Sequence, residues 1–194
     1  MKQILIILIM FSFLGCNKNK KSNTVNVEVK NKTEELPFFG TITLSNARDY
    51  EVDNVKINKN NVSIDLNFEG EEINPKTLND IRNILTNIED IENKVKNEIR
   101  KYIDQKGMVK EYFQFHIDEI DEQELKGYLK DTDQNLTTEL QLFSKLELKR
   151  VGFFPDSPKF VAILDYRVAS EFSDDILVVI LNKEGEIEKI TVES

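Results

Sequence analysis

The chain has 194 residues, carries a formal charge of −9 at pH 7, and contains a single cysteine and a single histidine. An acidic surface repels the phosphates of DNA and RNA, which argues against nucleic acid as a partner. One cysteine excludes internal disulfides, and one histidine, His116, excludes zinc sites that need several His and Cys ligands.

The N-terminus has the layout of an export signal. Met1 and Lys2 precede a run from Ile4 to Leu14 in which every residue except Ser12 is apolar. A membrane-spanning helix needs roughly 18 apolar residues, so this run is too short to remain as an ordinary span. The pattern predicts a signal peptide over residues 1–15.

The end of this signal resembles the lipobox of bacterial lipoproteins, in which the cysteine is lipidated and becomes the mature N-terminus. Gly15 and Cys16 match that pattern, whereas Phe13 stands where Leu is usual and Leu14 where a small residue is usual. The resemblance implies a lipidated Cys16 that holds the protein at a membrane, outside the cytoplasm. An uncleaved anchor and a buried cytosolic thiol are the alternatives.

The residues after the signal predict a tether and one domain. Residues 16–35 are rich in Asn, Lys, Ser and Thr, which predicts a flexible tether, although Val25, Val27 and Val29 alternate as in an edge strand. Residues 36–194 have the length of a single domain.

The domain begins with strand patterns. Alternating apolar residues predict a strand over Phe38–Leu44, with a bulge at Gly40, and further strands over Tyr50–Ile57 and Val62–Phe68. The asparagine-rich segment Asn58–Asn61 predicts the turn between the last two. We expect these three strands to form an antiparallel meander.

The apolar period then changes from two to 3.6 residues. Asn74 is the expected N-cap and Pro75 the first helical residue, and the stripe from Leu78 to Tyr102 predicts one long amphipathic helix that ends before Gly107. Three more helices are predicted: Met108–Ile120, a short one opened by Asp121 and Glu124, and Thr138–Lys145.

The C-terminal third returns to strands, with Gly185 in a hairpin loop. Every residue of the segment Ile176–Leu181 is apolar, so both faces of this strand are apolar. This pattern predicts a central strand that is covered on both faces. The second cover would be the N-terminal meander, a further layer or a second copy in a homodimer. The four predicted strands are Glu147–Phe154, Phe160–Val168, Asp175–Asn182 and Glu186–Val192.

These patterns predict an α+β fold. Its antiparallel sheet is built from the N-terminal three-strand meander and a C-terminal four-strand meander, with a central block of about four helices packed on it.

Few residues suggest chemistry. His116 falls on a predicted helix at the edge of the core, which favours a structural role. The glycines are too scattered for a phosphate-binding loop, and no G-x-S-x-G motif is present, which argues against Rossmann, P-loop, kinase and serine-hydrolase classes. No cofactor is expected.

Two groups of charged residues remain as candidate ligands. Asp131, Asp133 and Asn135 match the first three positions of a calcium loop, but leucines replace its essential Gly and Glu, so a solvated loop is favoured over a weak calcium site. Asp165 and Arg167 share one face of a strand, either in a cross-strand ion pair or as a ligand-facing acid and base.

Three segments resemble a bacterial family catalogued as domain of unknown function 2004: "LPFFGTITL", "NNVSIDLNFEGEEIN" and "RVGFFPDSPKFVAILDYRVASEFSDDILVVILNKEGEIEKITVES". The resemblance implies one mixed α and β domain. That family has no established activity, so it provides no catalytic residues to carry over.

The leading hypothesis is a lipid-anchored, non-enzymatic envelope protein that binds another protein, with an immunity-type protein that blocks a basic toxin as one version. A carboxylate-dependent hydrolase of envelope glycans is the alternative from another class, because it needs only two acids about 5–10 Å apart. A structural envelope component is the third hypothesis.

Overall fold

The computed structural model describes residues 32–44, 48–70 and 72–194, so the predicted signal, Cys16 and most of the predicted tether lie outside the described residues. The first described element is a hairpin of two short strands, β1 (Thr33–Leu36) and β2 (Gly40–Thr43). The domain therefore begins before Leu36, because the last residues assigned to the tether belong to β1.

The predicted strand over Phe38–Leu44 is wrong in its first half. Pro37, which has no N–H to donate to a ladder, begins a turn, and Phe38 follows with a φ of 68°. Phe38 is exposed, whereas Ile42 and Leu44 are buried as the alternation predicts. The apolar pattern across Phe38 thus spans a turn and not a bulged strand.

The main sheet has six strands, which lie side by side in chain order. Four of its five neighbouring pairs are antiparallel. The second and third strands run parallel, from the pair Ser63 and Arg150 to the pair Leu66 and Phe153. The strands are β3 (Tyr50–Ile57), β4 (Asn60–Leu66), β5 (Glu147–Phe153), β6 (Ala162–Arg167), β7 (Ile176–Leu181) and β8 (Ile187–Glu193).

This topology confirms mixed α and β content and corrects two predictions. The three-strand meander is wrong, because β1 and β2 form a separate two-stranded sheet and only β3 and β4 join the main one. The purely antiparallel sheet is also wrong at β4 and β5. Parallel neighbours need a long crossover connection, and the helices between these two strands provide it.

Five helices form that connection. Asn74 caps the first and Asp121 the fourth, and each side chain accepts a hydrogen bond of 2.8 Å from the amide two residues later. Both caps were predicted from the sequence. The helices are α1 (Pro75–Thr86), α2 (Ile88–Ile103), α3 (Met108–Glu119), α4 (Glu122–Leu129) and α5 (Thr138–Ser144).

The single long helix predicted between Pro75 and Gly107 is wrong, because the chain breaks it at Asn87, where φ is −111° and ψ is 17°. The Thr86 hydroxyl donates to the Arg82 carbonyl and the Asn87 side-chain amide donates to the Asn83 carbonyl, each at 2.8 Å. Side chains that compete for helical carbonyls in this way weaken the backbone hydrogen bonds of the helix.

The helices cover one face of the sheet. Burial alternates along β6: Leu164 and Tyr166 are fully buried, whereas Ile163 and Asp165, on the other face, are partly exposed. One continuous hydrophobic cluster joins the buried strand residues to helix residues such as Ile99 and Phe113. The described residues belong to one compact unit, Asn31–Ser194. None of the helices in this part of the chain is long and apolar enough to cross a bilayer.

The central strand is covered differently from the prediction. Leu177, Val179 and Leu181 of β7 are fully or almost fully buried on the helix side. On the other side, Ile176 and Ile180 keep part of their surface exposed, whereas Val178 between them is 1% exposed. The N-terminal strands β3 and β4 extend the same sheet instead of covering this second face.

The parallel pair should be a main source of stability. Leu66 lies beside Phe153 in the register and is fully buried, so Leu66→Ala should lower the free energy of unfolding by about 2–5 kcal/mol. Urea denaturation of the full chain measures this loss. The matched control is Leu136→Ala at an exposed leucine, which should cost about 0.5 kcal/mol or less. Equal losses would contradict the assigned packing.

Candidate functional site

The face of the six-stranded sheet that points away from the helices carries the residues predicted to face a ligand. Its apolar centre is formed by Ile163 on β6 beside Ile180 on β7, with Val178 beside Asp165. We call it the open face, defined by Asp65, Arg150, Gly152, Ile163, Asp165, Arg167, Ile176, Val178 and Ile180.

A charged cluster crosses three strands of this face. Arg150 on β5 binds Asp65 on β4 through two hydrogen bonds, from Nε to Oδ2 at 2.6 Å and from Nη2 to Oδ1 at 2.7 Å. Its Nη1 donates to Asp165 Oδ2 on β6 at 3.0 Å. We call these three residues the Arg150 cluster. Such a planar, bidentate pair is the strong form of a charge-assisted hydrogen bond.

Gly152 makes the geometry of the cluster possible. A Cβ atom at this position would clash with Arg150 Nη2 and lie 2.8 Å from Arg150 Cζ. The guanidinium therefore lies across the glycine, which explains a glycine inside a strand. Burial alone would lower the pKa of Arg150, but the hydrogen bonds that Arg150 donates to Asp65 and Asp165 outweigh this effect and raise that pKa.

Asp165 and Arg167 do not pair with each other. Asp165 binds Arg150 on the neighbouring strand, whereas Arg167 donates to the carboxylate of Asp174 at 2.8 Å and to the Asp174 carbonyl at 2.7 Å. The two predicted residues thus belong to two neighbouring ion pairs on one face. Neither Asp65 nor Arg150 was singled out from the sequence, because their contact depends on the parallel register of β4 and β5.

The other predicted sites show internal contacts. His116 is fully buried, so it does not lie at the edge of the core as predicted. It shares the buried side of α3 with Tyr112 and Phe113. Its Nδ1 lies 2.8 Å from the Tyr112 carbonyl. In the predicted calcium loop, Asp133 Oδ1 accepts from the backbone amide of Asn135 at 3.0 Å and from its side-chain amide at 2.9 Å.

Asp131, Asp133 and Asn135 are all exposed, and their loop has the form of an ordinary capped turn. Across residues 32–44, 48–70 and 72–194, no group of three or more His, Cys, Asp or Glu side chains is arranged to hold a metal ion.

Comparison of the chain with protein-family models, with curated proteins and with solved structures gives no match. The resemblance to domain of unknown function 2004 therefore stays a prediction, and the candidate site is interpreted from its own geometry.

That geometry is suited to recognition. The two carboxylates of the Arg150 cluster are both bound by one guanidinium, which leaves neither placed as a free general acid. The cluster has one carboxylate more than it has cations. It lies beside the partly exposed isoleucines, so the open face combines apolar area with a charged cluster that has one excess carboxylate. Arg167 forms a second ion pair on this face, with Asp174.

The Asp65 ion pair should contribute measurably to stability. Asp65→Asn removes the charge that Arg150 binds, and we expect a loss of about 1–2 kcal/mol, discounted because Arg150 is about one-third exposed. Urea denaturation at low and high salt measures it, and high salt should reduce the loss.

Asp53→Asn on the neighbouring strand is the control, because Asp53 is exposed and removing its charge should change stability by about 0.5 kcal/mol or less. The same loss in both variants would mean that the cluster adds no specific stabilisation.

Proposed function

We propose that this protein is a lipid-anchored, non-enzymatic envelope protein that binds a basic protein partner through the open face. The proposal joins two lines of support. The sequence around Cys16 resembles a lipobox, and the open face combines apolar side chains with an acidic cluster. Membership of the family of domain of unknown function 2004 is part of the same proposal.

Asp165 is the observation that carries the proposed interface. Its side chain is 13% exposed, and its one hydrogen bond within the described residues comes from Arg150 Nη1 at 3.0 Å. Each oxygen of a carboxylate can accept hydrogen bonds, and Asp165 Oδ1 accepts none within the described residues. A lysine or arginine of a partner would bind this oxygen and balance the excess carboxylate of the Arg150 cluster.

The surrounding apolar side chains would supply the buried area. Ile163, Ile176 and Ile180 flank Asp165 and Val178 on the same face, as in the apolar centre and charged anchors of stable interfaces. The net charge of −9 would steer a basic protein toward this chain. An immunity-type protein that neutralises a basic toxin is one version of this role.

Anchoring is the part of the proposal that can be tested first. Cells that express the full chain with labelled fatty acid should yield a labelled protein in the membrane fraction. Cys16→Ser should abolish the label, because the thiol is the proposed acceptor of the acyl chains. Label that persists in the Cys16→Ser variant, or wild-type protein that stays soluble and unlabelled, would contradict the anchor.

The interface is tested by photo-crosslinking in cells. A photoreactive residue at position 180, on the open face, should capture one discrete partner, whereas the same residue at Phe115, an exposed helix position, should not. Mass spectrometry of the adduct should identify a basic protein. Asp165→Asn should weaken capture about tenfold, because the proposed charge pair is lost.

Three outcomes would contradict this interface. The first is the absence of an adduct at position 180, and the second is the same adducts at both positions. The third is an adduct with a second copy of this chain, which would show that the open face closes a homodimer.

A further inference from the structure

A second polar centre lies on the opposite, helix side of the sheet. A pocket of about 430 Å³ opens between the turn that joins β3 to β4 and the middle of α2. All six lining residues are of polar type: Asn58, Lys59 and Asn60 from the turn, and Glu92, Asn93 and Lys96 from the helix. Asn58 joins the two walls, because its side-chain amide donates to Glu92 Oε2 at 2.7 Å and to the Glu89 carbonyl at 3.1 Å.

Two buried acceptors of this pocket lack donors. Glu92 is 1% exposed, and its Oε1 has no hydrogen-bond partner within the described residues. Lys96 Nζ is 3.7 Å from that oxygen, which is too long for a good hydrogen bond. Asn60 is 4% exposed, and its Oδ1 also has no partner there. Buried acceptors without donors call for a bound molecule that donates.

The position of Glu92 on α2 reinforces this need. Ile88 and Val95, one turn before and one turn after it, are buried core residues. The hydroxyl of Tyr166 on β6 is also buried without a partner in the described part of the chain. Burial raises the pKa of Tyr166, and the nearby charge of Glu92 raises it further. The carboxylate of Glu92 is thus buried on the core-facing side of α2 without a full set of hydrogen-bond donors.

Two lysines provide positive charge in the same pocket. Lys96 donates to the Leu146 carbonyl at 2.8 Å and Lys59 to the Ser144 carbonyl at 3.4 Å. Each ammonium has three N–H donors, so both keep donors for another group. Burial lowers the pKa of Lys96, the charge of Lys59 lowers it further, and Glu92 opposes both effects. Two ammonium groups against one carboxylate disfavour a metal ion in this pocket.

We propose that this pocket binds a small zwitterion, namely a free α-amino acid with a small or polar side chain. Its ammonium group would donate to Glu92 Oε1 and Asn60 Oδ1, and its carboxylate would accept from Lys59 and Lys96. No aliphatic or aromatic residue lines the pocket, which disfavours a large apolar side chain on the ligand, and the volume lies in the range of ordinary small-ligand sites. This site is separate from the open face and does not depend on the proposed protein partner.

The probes are the free α-amino acids, titrated individually against the full chain and followed by melting temperature and calorimetry. At least one small or polar amino acid should raise the melting temperature in a saturable way, because a ligand of the folded state stabilises it by mass action. Ethylamine and acetate, which carry one charged group each, should give no saturation up to about 10 mM.

Variants test the two ends of the ligand separately. Glu92→Gln keeps an acceptor for Asn58 but removes the charge, and should weaken binding at least about tenfold. Asp90→Asn, at an exposed residue of the same helix that does not line the pocket, is the matched control and should leave affinity unchanged. Lys59→Gln alters an exposed side chain, so it should fold even if Glu92→Gln does not, and it should also weaken binding about tenfold.

Three results would overturn the proposal. One is the absence of saturation by any amino acid, which would mean that the pocket holds water only. Another is equal affinity in wild type and Lys59→Gln, or in wild type and a folded Glu92→Gln. The third is saturation by ethylamine alone, which would define a simple cation site and not a site for a zwitterion.

Discussion

The parallel pairing of β4 with β5 is the constraint on which the rest of the structure depends. Every other neighbouring pair in the sheet is antiparallel, and most of these pairs are joined by short connections. A parallel pair requires the chain to return to the same end of the sheet, and all five helices lie in that return. Because the helices cover one face, the chain between Leu66 and Glu147 supplies the core on that side and leaves the other face open.

Charged residues are arranged differently on the two sides of the sheet. On the open face, Arg150 reaches Asp65 and Asp165 across neighbouring strands, and the group stays partly in contact with water. On the helix side, Glu92 is buried and lacks a donor for one oxygen within the described residues. We interpret the first arrangement as part of the proposed protein-binding surface and the second as hydrogen-bonding capacity for the proposed small molecule. Both interpretations rest on contacts between elements that are far apart in the chain.

Local signals predicted the elements well, and contacts between distant segments were harder to predict. Asn74 and Asp121 were found as caps, since capping depends on residues only a few positions apart. The break at Asn87 was missed because the apolar stripe continues through it. The parallel register was missed because no local pattern records which strand lies next to β4. The hairpin at Pro37 was missed because alternation continued on both sides of the turn.

The candidate site shows the same division. Asp165 was recognised from strand alternation, but its partner Arg150 required the register of β5 and β6. Glu92 could have been noticed, because it lies one turn from both Ile88 and Val95 on the apolar stripe of α2, where a charge is unusual. Its missing donor is visible only when the turn between β3 and β4 is placed beside the helix.

The most direct test of the one-sided sheet is thiol labelling of single-cysteine variants in a Cys16→Ser background, where no other thiol remains in the chain. Ile163→Cys and Ile180→Cys, on the open face, should react with a maleimide while the protein is native and at low protein concentration. Leu164→Cys and Val179→Cys, on the helix side, should react only after unfolding. Equal protection at all four positions would show that a further layer covers the open face, and would contradict this account.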